Sequence, residues 1–333
     1  MFAERVLSGM RPTGRLHLGH HHGVLANWIR LQHEYPCLFF VADWHALTTA
    51  YDEPGTITQS AMDMVIDWLA AGVDPSQATI FIQSRVPEHA ELHLLLSMMT
   101  PLGWLERVPT YKDQQEKLTH KDLATYGFLG YPLLQAADIL IYRADKVPVG
   151  EDQVPHIEFT REIARRFNHL YGRGKTILAE PKTLLTHASR MPGLDGQKMS
   201  KSYGNTIALR EDEESVRKKI RVMQTDPARV RRTDPGDPDK CPVWQFHLIY
   251  SDDAVKQWVQ AGCRSAGIGC LECKQPVIEG VLKEQEPMRE RARAYEEDPQ
   301  RVRNIIADGC EKARKLAQET MRDVREAIGL DYK

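Results

Sequence analysis

Short apolar runs alternate with helical patterns through roughly the first 180 residues of the chain. Residues 37–42 and 79–82 are compact apolar runs of the kind found in strands buried on both faces, and residues 5–8 predict a third strand. A loop rich in glycine and proline is expected over residues 9–14. Helical periodicity separates the strands and covers residues 20–31, 61–71 and 87–99. This alternation predicts an α/β fold with a Rossmann-type parallel sheet, whose ligands bind at the carboxyl ends of the strands.

The β-like runs fade after about residue 205, and the remaining chain is helical in pattern. Residues 211–223 predict a helix, and a turn cluster follows at residues 234–239. Apolar residues from Val302 to Ile328 recur at helical spacing and predict a packing face. We therefore expect two domains, residues 1–205 with the sheet and residues 206–333 as an α-helical domain.

Composition and charge narrow the class of protein. Apolar residues make up 42% of the chain and charged residues 27%, as in average globular proteins, and the formal net charge is −2. A nucleic-acid surface would therefore need a local basic patch, for which residues 217–232 are the candidate, with a solvated helix face as the alternative. No secretory signal or membrane span is apparent, so we expect a cytoplasmic protein with free thiols.

Residues 17–20, His-Leu-Gly-His, follow the first predicted strand and open the first long helix. The amide groups and the positive dipole end of a helix N-terminus attract phosphate, and the two imidazoles can face it from one side. Gly19 lets a ligand approach the backbone closely. The motif is weak by itself, because a histidine-rich helix start can also be plain exposed surface.

Residues 198–202, Lys-Met-Ser-Lys-Ser, are more specific. They follow a glycine-rich segment at residues 192–196, which predicts a mobile loop. The ammonium groups of Lys198 and Lys201 can meet the β- and γ-phosphates of ATP and neutralise charge as pyrophosphate leaves. Together with the histidine motif some 180 residues upstream, this loop indicates an enzyme that activates a substrate with ATP.

The two motifs resemble the HIGH and KMSKS elements of class I aminoacyl-tRNA synthetases. Further segments resemble the tryptophanyl-tRNA synthetase family in family order, and together the match extends from about residue 5 to the C-terminus. These segments are residues 7–14, 43–46, 131–140 and 149–153. His20 stands where many bacterial members have asparagine, which suggests a different branch.

The resemblance implies a tryptophan–tRNA ligase that uses ATP and Mg²⁺ to form tryptophanyl-adenylate and then charges tRNA(Trp). It implies a catalytic domain over residues 1–205, an anticodon-binding domain over residues 206–333, and a homodimer without a membrane partner. In this family the two histidines bind the α-phosphate region and the two lysines bind pyrophosphate. The implied catalytic residues are therefore His17, His20, Lys198 and Lys201.

The resemblance also assigns the substrate contacts. The implied ATP-binding residues are Arg11, Gly19, His20, Asp152, Lys198, Met199, Ser200 and Lys201, with Asp152 on the ribose. The implied tryptophan-binding residues are Gly9, His45, Tyr131, Gln135, Asp138 and Gln153. Asp138 would accept the indole N–H, and indole offers a single donor and no acceptor, so phenylalanine would leave this carboxylate unpaired. A solvent-facing helix position is the alternative for Asp138.

Four of the six cysteines are grouped with the spacing C-x21-C-x6-C-x2-C. They are Cys241, Cys263, Cys270 and Cys273. Four thiolates with one C-x2-C pair can hold zinc or an iron–sulfur cluster, and the spacing does not separate the two. The resemblance favours a [4Fe–4S] cluster over zinc, because one branch of the family carries such a cluster on cysteines whose first gap is one residue longer. Cys37 and Cys310 are expected to be inert core thiols.

Three alternatives remain on the sequence. A tyrosyl enzyme shares the fold, but it would need polar partners for a phenol, which residues 135–140 do not suggest. A non-catalytic paralogue is disfavoured because His17, His20, Lys198 and Lys201 are all present. A different nucleotidyl transferase is disfavoured by the cysteine group and the basic run, which favour tRNA as the partner.

Overall fold

Five parallel strands form the sheet in the part of the chain that the computed structural model describes, which is residues 4–108, 124–185 and 191–332. The strand order is β3-β2-β1-β4-β5. The strands are β1 (Val6–Met10), β2 (Cys37–Val41), β3 (Ala78–Ile82), β4 (Lys146–Val149) and β5 (Lys182–Leu185). Every pairing is parallel, which confirms the predicted Rossmann-type α/β fold with a helical C-terminal region.

Helices cover the sheet and make up most of the described chain after β5. A π-helical segment (His21–Leu25) joins the first helix to the second. The described helices are α1 (Leu18–His20), α2 (Ala26–Leu31), α3 (Asp43–Ala50), α4 (Ile57–Ala71), α5 (Glu88–Ser97), α6 (Leu102–Leu105), α7 (Tyr126–Leu140), α8 (Val154–Tyr171), α9 (Glu213–Val222), α10 (Pro242–Tyr250), α11 (Asp253–Arg264), α12 (Cys270–Glu296) and α13 (Pro299–Ile328).

The predicted first loop begins later than expected. β1 extends through Gly9 and Met10, because Gly9 pairs with Phe40 of β2 in the parallel register. A Cβ on Gly9 would lie 2.4 Å from Cζ of Phe40, so the close approach of that ring requires glycine. β5 was not predicted from the sequence, since this edge strand has exposed side chains at both ends and two half-buried side chains between them, and therefore shows no buried apolar run.

The C-terminal helices pack directly on the sheet layer. α13 lies against β3, and a Cβ on Gly309 would come within 1.8 Å of the Ile80 carbonyl oxygen. α12 packs against α4, and buried side chains from both sides of residue 205 belong to one hydrophobic core. The division into two domains at residue 205 stays a prediction. None of the described helices combines the length and apolarity required to cross a membrane.

Candidate active site and cysteine site

The strand order reverses at β1, which pairs with β2 on one side and with β4 on the other. Ligands of parallel α/β sheets bind in the crevice outside such a reversal. The segment that carries the histidine motif follows β1, and the short 3₁₀ helix Glu151–Gln153 follows β4. Both segments implied to bind ATP therefore leave the sheet at the edge where a nucleotide is expected.

The two motif histidines are oriented by the backbone at the start of α1. The amide of Gly19 donates to Nδ1 of His17 at 3.1 Å, and the amide of His17 donates to Nδ1 of His20 at 3.2 Å. The two rings lie 3.9 Å apart between centroids. Because each Nδ1 accepts a hydrogen bond, the proton of each neutral ring sits on Nε2, where it can be donated to a ligand.

Burial and nearby lysines keep both imidazoles uncharged. Burial, followed by the charges of Lys201 and Lys198, lowers the pKa of His17 to about 4. Burial, the neighbouring His17 and Lys201 lower the pKa of His20 to about 3. At neutral pH the pair thus offers two N–H donors without adding positive charge, and the cationic charge of the site comes from the lysines.

The lysine loop lies against the segment that follows β1. Nζ of Lys201 donates to the carbonyl oxygens of Thr13 at 2.9 Å and Gly14 at 3.0 Å. The amide of Leu18 donates to the Ile207 carbonyl at 3.0 Å just beyond the loop. Lys198 is exposed, and its charge lowers the pKa of both motif histidines. Residues far apart in the chain therefore form one surface, the candidate phosphate-facing region.

Asn205 fixes the shape of this loop and was missed in the sequence analysis. Its Oδ1 accepts the Ser200 amide at 2.8 Å, and its Nδ2 donates to Asp195 at 2.8 Å and to the Lys198 carbonyl at 3.2 Å. Asn205 is buried. No periodicity or spacing distinguishes such an asparagine, because its partners are mainly backbone groups of the folded loop. Met199, also buried, lies beneath Gly19.

Asp138 lies inside the molecule, so the alternative of a solvent-facing position is wrong. Its side chain is 1% exposed and its two oxygens accept from three side chains. His45 Nε2 lies 2.8 Å from Oδ2 and His89 Nδ1 lies 2.6 Å from Oδ1. Nε2 of Gln83 donates to both oxygens, at 2.8 Å and 2.9 Å. The four acceptor positions of the carboxylate are therefore engaged.

Electrostatics keep Asp138 ionised. Burial alone would raise its pKa, but hydrogen bonds and charge interactions with His45 and His89 lower the pKa of Asp138 to about 2. Gln83 and His89 were missed from the sequence. Gln83 immediately follows β3, and a polar residue at the carboxyl end of a parallel strand was a usable signal. His89, inside an ordinary amphipathic segment, had none.

Two other residues implied to contact the amino acid lie on the same helix as Asp138. Tyr131 and Gln135 precede Asp138 on α7 at helical spacing, and both are half-buried. The Tyr131 ring lies 5.7 Å from that of buried His156, whose pKa is lowered to about 4 by burial and by His45. A cavity of about 340 Å³ opens beside α3 and α7. Its lining includes Trp44, Leu47, Thr48, His93, Gly130 and Leu134.

Four implied ligands belong to β1 or directly follow β1 or β4 in the chain. Asp152 is exposed and accepts a hydrogen bond of 3.3 Å from Nε2 of Gln153. Arg11 follows β1 with an exposed side chain, but desolvation by its surroundings lowers its pKa, and the nearby Tyr131 partly opposes that shift. Gly9 faces the Phe40 ring described above.

The four grouped cysteines converge on one cavity of about 20 Å³, room for about one water molecule. Cys241 precedes α10, Cys263 lies near the end of α11, and Cys270 and Cys273 are one turn apart at the start of α12. Among the described residues, no group of three or more His, Cys, Asp or Glu side chains has the arrangement to hold a single metal ion. The four sulfurs thus share a space without closing on one centre.

Two basic side chains accompany the thiols. Nη1 of Arg229 lies 3.9 Å from Sγ of Cys263, and Nη2 of this buried arginine donates to the Ile268 carbonyl. Nε2 of His247 lies 3.4 Å from Sγ of Cys273. Burial raises the pKa of Cys273 to about 12, so a metal centre would have to displace its proton.

The basic run does not form one uniform face. Arg229 is directed into the cysteine cavity, and Nζ of Lys219 donates to the Thr206 carbonyl at 3.0 Å. Exposed cations remain on and after α9, and these are Lys218, Arg221, Arg231 and Arg232. The predicted nucleic-acid surface is therefore limited to these side chains.

A parallel sheet with a histidine motif after its first strand and a lysine loop packed against it is the arrangement of class I aminoacyl-tRNA synthetases. Comparison with known proteins supports this class. The sequence matches the family described as "tRNA synthetases class I (W and Y)" over residues 3–283. The chain therefore belongs to this family of class I synthetases for tryptophan and tyrosine.

Individual relatives point to the tryptophan branch. The chain is 64% identical to the tryptophan–tRNA ligase of Ralstonia nicotianae, with 100% of both chains covered. It is 52% identical to the tryptophan–tRNA ligase of Thermotoga maritima, over 98% of this chain and 100% of the relative. The crystal structure of tryptophanyl-tRNA synthetase from Campylobacter jejuni, complexed with ADP and tryptophan, superposes with a TM-score of 0.88 at 34% identity and covers 98% of this chain and 100% of that chain.

Proposed function

We propose that this chain is a tryptophan–tRNA ligase. It activates L-tryptophan with ATP to tryptophanyl-adenylate and pyrophosphate, and then transfers tryptophan to the 3′ end of tRNA(Trp). The proposal rests on one observation: His17 and His20 lie close to the loop that carries Lys201, although some 180 residues of chain separate the two segments. The full-length similarity to tryptophan–tRNA ligases supports the choice of amino acid.

In the adenylation step the tryptophan carboxylate attacks the α-phosphorus and the bond to the β-phosphate bridging oxygen breaks. The Nε2–H groups of His17 and His20 donate to α-phosphate oxygens as charge develops there, and they do so without a proton transfer. Lys198 and Lys201 neutralise the departing pyrophosphate together with Mg²⁺ on the phosphates. No covalent enzyme intermediate is required, so positioning and charge stabilisation supply the rate enhancement.

Binding of ATP requires Lys201 to exchange a partner. The carbonyl oxygens of Thr13 and Gly14 hold its ammonium group. Contacts with the phosphates of ATP would replace these hydrogen bonds or be added to them. Met199 and Ser200 would place the loop backbone next to Gly19. Asp152 would bind the ribose of ATP, and Arg11 would bind its phosphates. The family resemblance implies this assignment, and the positions of Arg11 directly after β1 and of Asp152 directly after β4 support it.

Asp138 is the proposed acceptor for the indole N–H. Because its four acceptor positions are already used, tryptophan must displace a donor, and we assign that donor as His45. Its side chain is 11% exposed, whereas that of His89 is 0% exposed. Gln135 and Gly9 would line the indole site, and Tyr131 and Gln153 would bind the α-amino group.

Amino-acid-dependent exchange of pyrophosphate into ATP tests this function. We expect exchange with tryptophan and a rate lower by about 10⁴-fold with phenylalanine or tyrosine, since a ring that displaces His45 without placing an N–H donor at that position leaves one acceptor position of the ionised carboxylate unpaired. Asp138→Ala should reduce that ratio most, and His89→Gln should reduce it less because His89 does not face the site. Exchange with tyrosine in place of tryptophan would establish the tyrosyl alternative.

We further propose that Cys241, Cys263, Cys270 and Cys273 hold a [4Fe–4S] cluster. Four thiols around one cavity fit the donor set, and buried Arg229 and Lys274 would offset the negative charge of thiolates and cluster. A zinc ion would require the four sulfurs to close on one centre, an arrangement that the described side chains do not have. The bound group would cross-link the helices that carry its ligands, next to the proposed tRNA-binding end.

Metal and sulfide analysis of protein purified without oxygen tests the cluster. We expect about four iron and four sulfide per chain, with loss of both in Cys263→Ser. The matched control is Cys310→Ser, which alters a buried thiol of α13 away from the cavity and should retain the iron. A colourless protein with one zinc per chain would assign the site to zinc.

The remaining partners are proposals of the same kind. The exposed cations of residues 218–232 supply a surface for tRNA(Trp), and residues 206–333 would form the anticodon-binding domain. We propose a homodimer, because α5 and α6 and the start of α7 expose large apolar side chains, namely Leu94, Met98, Leu102 and Tyr126. Light scattering would measure the mass, and Met98→Glu should favour the monomer. A ligase that uses ATP to join tryptophan to tRNA would work in the cytoplasm.

A further inference from the structure

Glu284 of α12 contacts the histidine-rich segment directly after the ATP motif. Its carboxylate lies 3.1 Å from Nε2 of His22 and 3.8 Å from Nε2 of His21. The hydroxyl of Tyr250 donates to the same carboxylate at 2.7 Å and lies 3.3 Å from His22. All four side chains are partly shielded from solvent, so this is a network and not a surface ion pair.

The network lies at the segment after α1 where the backbone departs from α-helical geometry. His21 and His22 are the first residues of the π-helical segment that follows His20. π-helical turns are uncommon and are often found at functional sites, and they persist only where neighbouring groups hold them. Burial would raise the pKa of Glu284, but its interactions with His22, Tyr250 and His21 together lower the pKa, so the carboxylate is charged. Glu284 thereby fixes the segment that orients His20.

The same network touches the two helices that begin at the cysteine site. Tyr250 ends α10, which starts just after Cys241, and Glu284 lies on α12, which starts with Cys270 and Cys273. These helices pack closely, since a Cβ on Gly280 would lie 2.8 Å from Cβ of Tyr250. His247 of α10 also approaches the Cys273 sulfur at 3.4 Å. A displacement at the cysteines would therefore move both Tyr250 and Glu284.

We propose that Glu284 is a positioning residue for the ATP site and that, through α10 and α12, it couples the cysteine site to ATP binding. This inference rests on the proposed ATP-dependent ligase function. Tyr250 shares the task by orienting the carboxylate. Changes at the cysteine end then alter the affinity for ATP and leave the tryptophan pocket around Asp138 unaffected, because that pocket is built on α3, α5 and α7.

Pyrophosphate-exchange kinetics of the full chain with each substrate varied in turn test the positioning role. Glu284→Ala should raise the KM for ATP about threefold to tenfold, while the KM for tryptophan stays within about twofold. Glu284→Gln keeps an acceptor and should show a smaller change. Tyr250→Phe should also raise the KM for ATP. The matched control is Glu286→Ala, two residues along α12 and exposed, which should leave both KM values unchanged.

A double-mutant cycle tests the coupling. Cys273→Ser should raise the KM for ATP about threefold or more in the wild-type background and less than about 1.5-fold in the Glu284→Ala background. If Cys273→Ser does not fold, Cys270→Ala in the wild-type and Glu284→Ala backgrounds makes the same comparison. Additive effects would overturn the coupling, and an equal change in both KM values would reduce Glu284 to a structural role. Absence of exchange in the wild type would instead remove the proposed function.

Discussion

The phosphate-facing region and the cysteine region are built in opposite ways. The first joins segments some 180 residues apart, through contacts such as those from Lys201 to the Thr13 and Gly14 carbonyls, and it lies on the large core beneath the sheet. The second is assembled within residues 225–273. Beside it lies a small apolar cluster whose buried members are Trp244, Val259 and Ile268.

This difference concerns what each region needs in order to hold its shape. The phosphate-facing region is positioned by protein groups alone, because backbone hydrogen bonds set His17 and His20 and Asn205 sets the lysine loop. The cysteine region has little apolar burial of its own, so a bound cluster would contribute much of its stability. Preorganised groups suit a step that depends on charge stabilisation, whereas a cross-linking group suits a recognition surface.

The largest expected effect is on catalysis in the first region. Lys201→Ala should lower kcat for tryptophan-dependent pyrophosphate exchange by about 10²- to 10³-fold, because it removes a cation that acts as pyrophosphate leaves. Steady-state exchange rates at saturating substrates measure this. Lys175→Ala, an exposed lysine on the turn after α8, is the control and should keep the wild-type rate. If kcat decreases by less than tenfold in Lys201→Ala, Lys201 does not stabilise the transition state.

A second prediction concerns the packing of the last helix on the sheet. Gly309→Ala should lower the free energy of unfolding by about 2–4 kcal/mol, since its methyl group would meet the Ile80 carbonyl and force α13 away from β3. Urea unfolding measures the change. Gly103→Ala, in α6 with open space around it, should change stability by less than about 0.5 kcal/mol. Equal effects would mean that α13 does not depend on that close contact.

A third prediction uses the lowered histidine pKa values of the phosphate-facing region. In the folded chain the pKa of His17 is about 4 and that of His20 is about 3, whereas the ordinary histidine pKa is 6.5. At pH values between these folded and ordinary pKa values, the unfolded chain therefore binds more protons than the folded chain. Stability is therefore full above about pH 6.5 and falls as the pH drops toward 4, by about 3 kcal/mol for one such histidine. His20→Asn should flatten this fall in urea unfolding, whereas the exposed His33→Asn should not. A fall of equal steepness in His20→Asn would contradict the assignment.

The smallest effect is local and separates the two regions directly. Cys270→Ser should increase amide hydrogen exchange in α10, α11 and the first turns of α12 about tenfold, while β1 to β4 keep their protection. Mass spectrometry of the exchanged peptides resolves the two regions, with Cys37→Ser in the sheet as the thiol control. Faster exchange throughout the sheet would show that the cysteine region is not a separate unit of stability.

Much of the fold follows from local pattern. The apolar runs at residues 37–42 and 79–82 and the helical stripe ending at Ile328 correspond to observed elements. Such patterns are readable because burial on a strand or helix repeats with a fixed period. β5 escaped detection because an edge strand with partly exposed side chains lacks that repeat.

The site residues that could be predicted from the sequence are those that belong to motifs. The sequence by itself determined the parallel sheet, the pairing of the histidine and lysine motifs, and the grouping of the cysteines. The tertiary structure alone decided that Gln83 and His89 bind Asp138, that Lys201 contacts Thr13 and Gly14, and that Glu284 reaches His22. The physical reason is that periodicity and spacing encode burial and local conformation, whereas a hydrogen bond between distant residues depends on how whole elements pack.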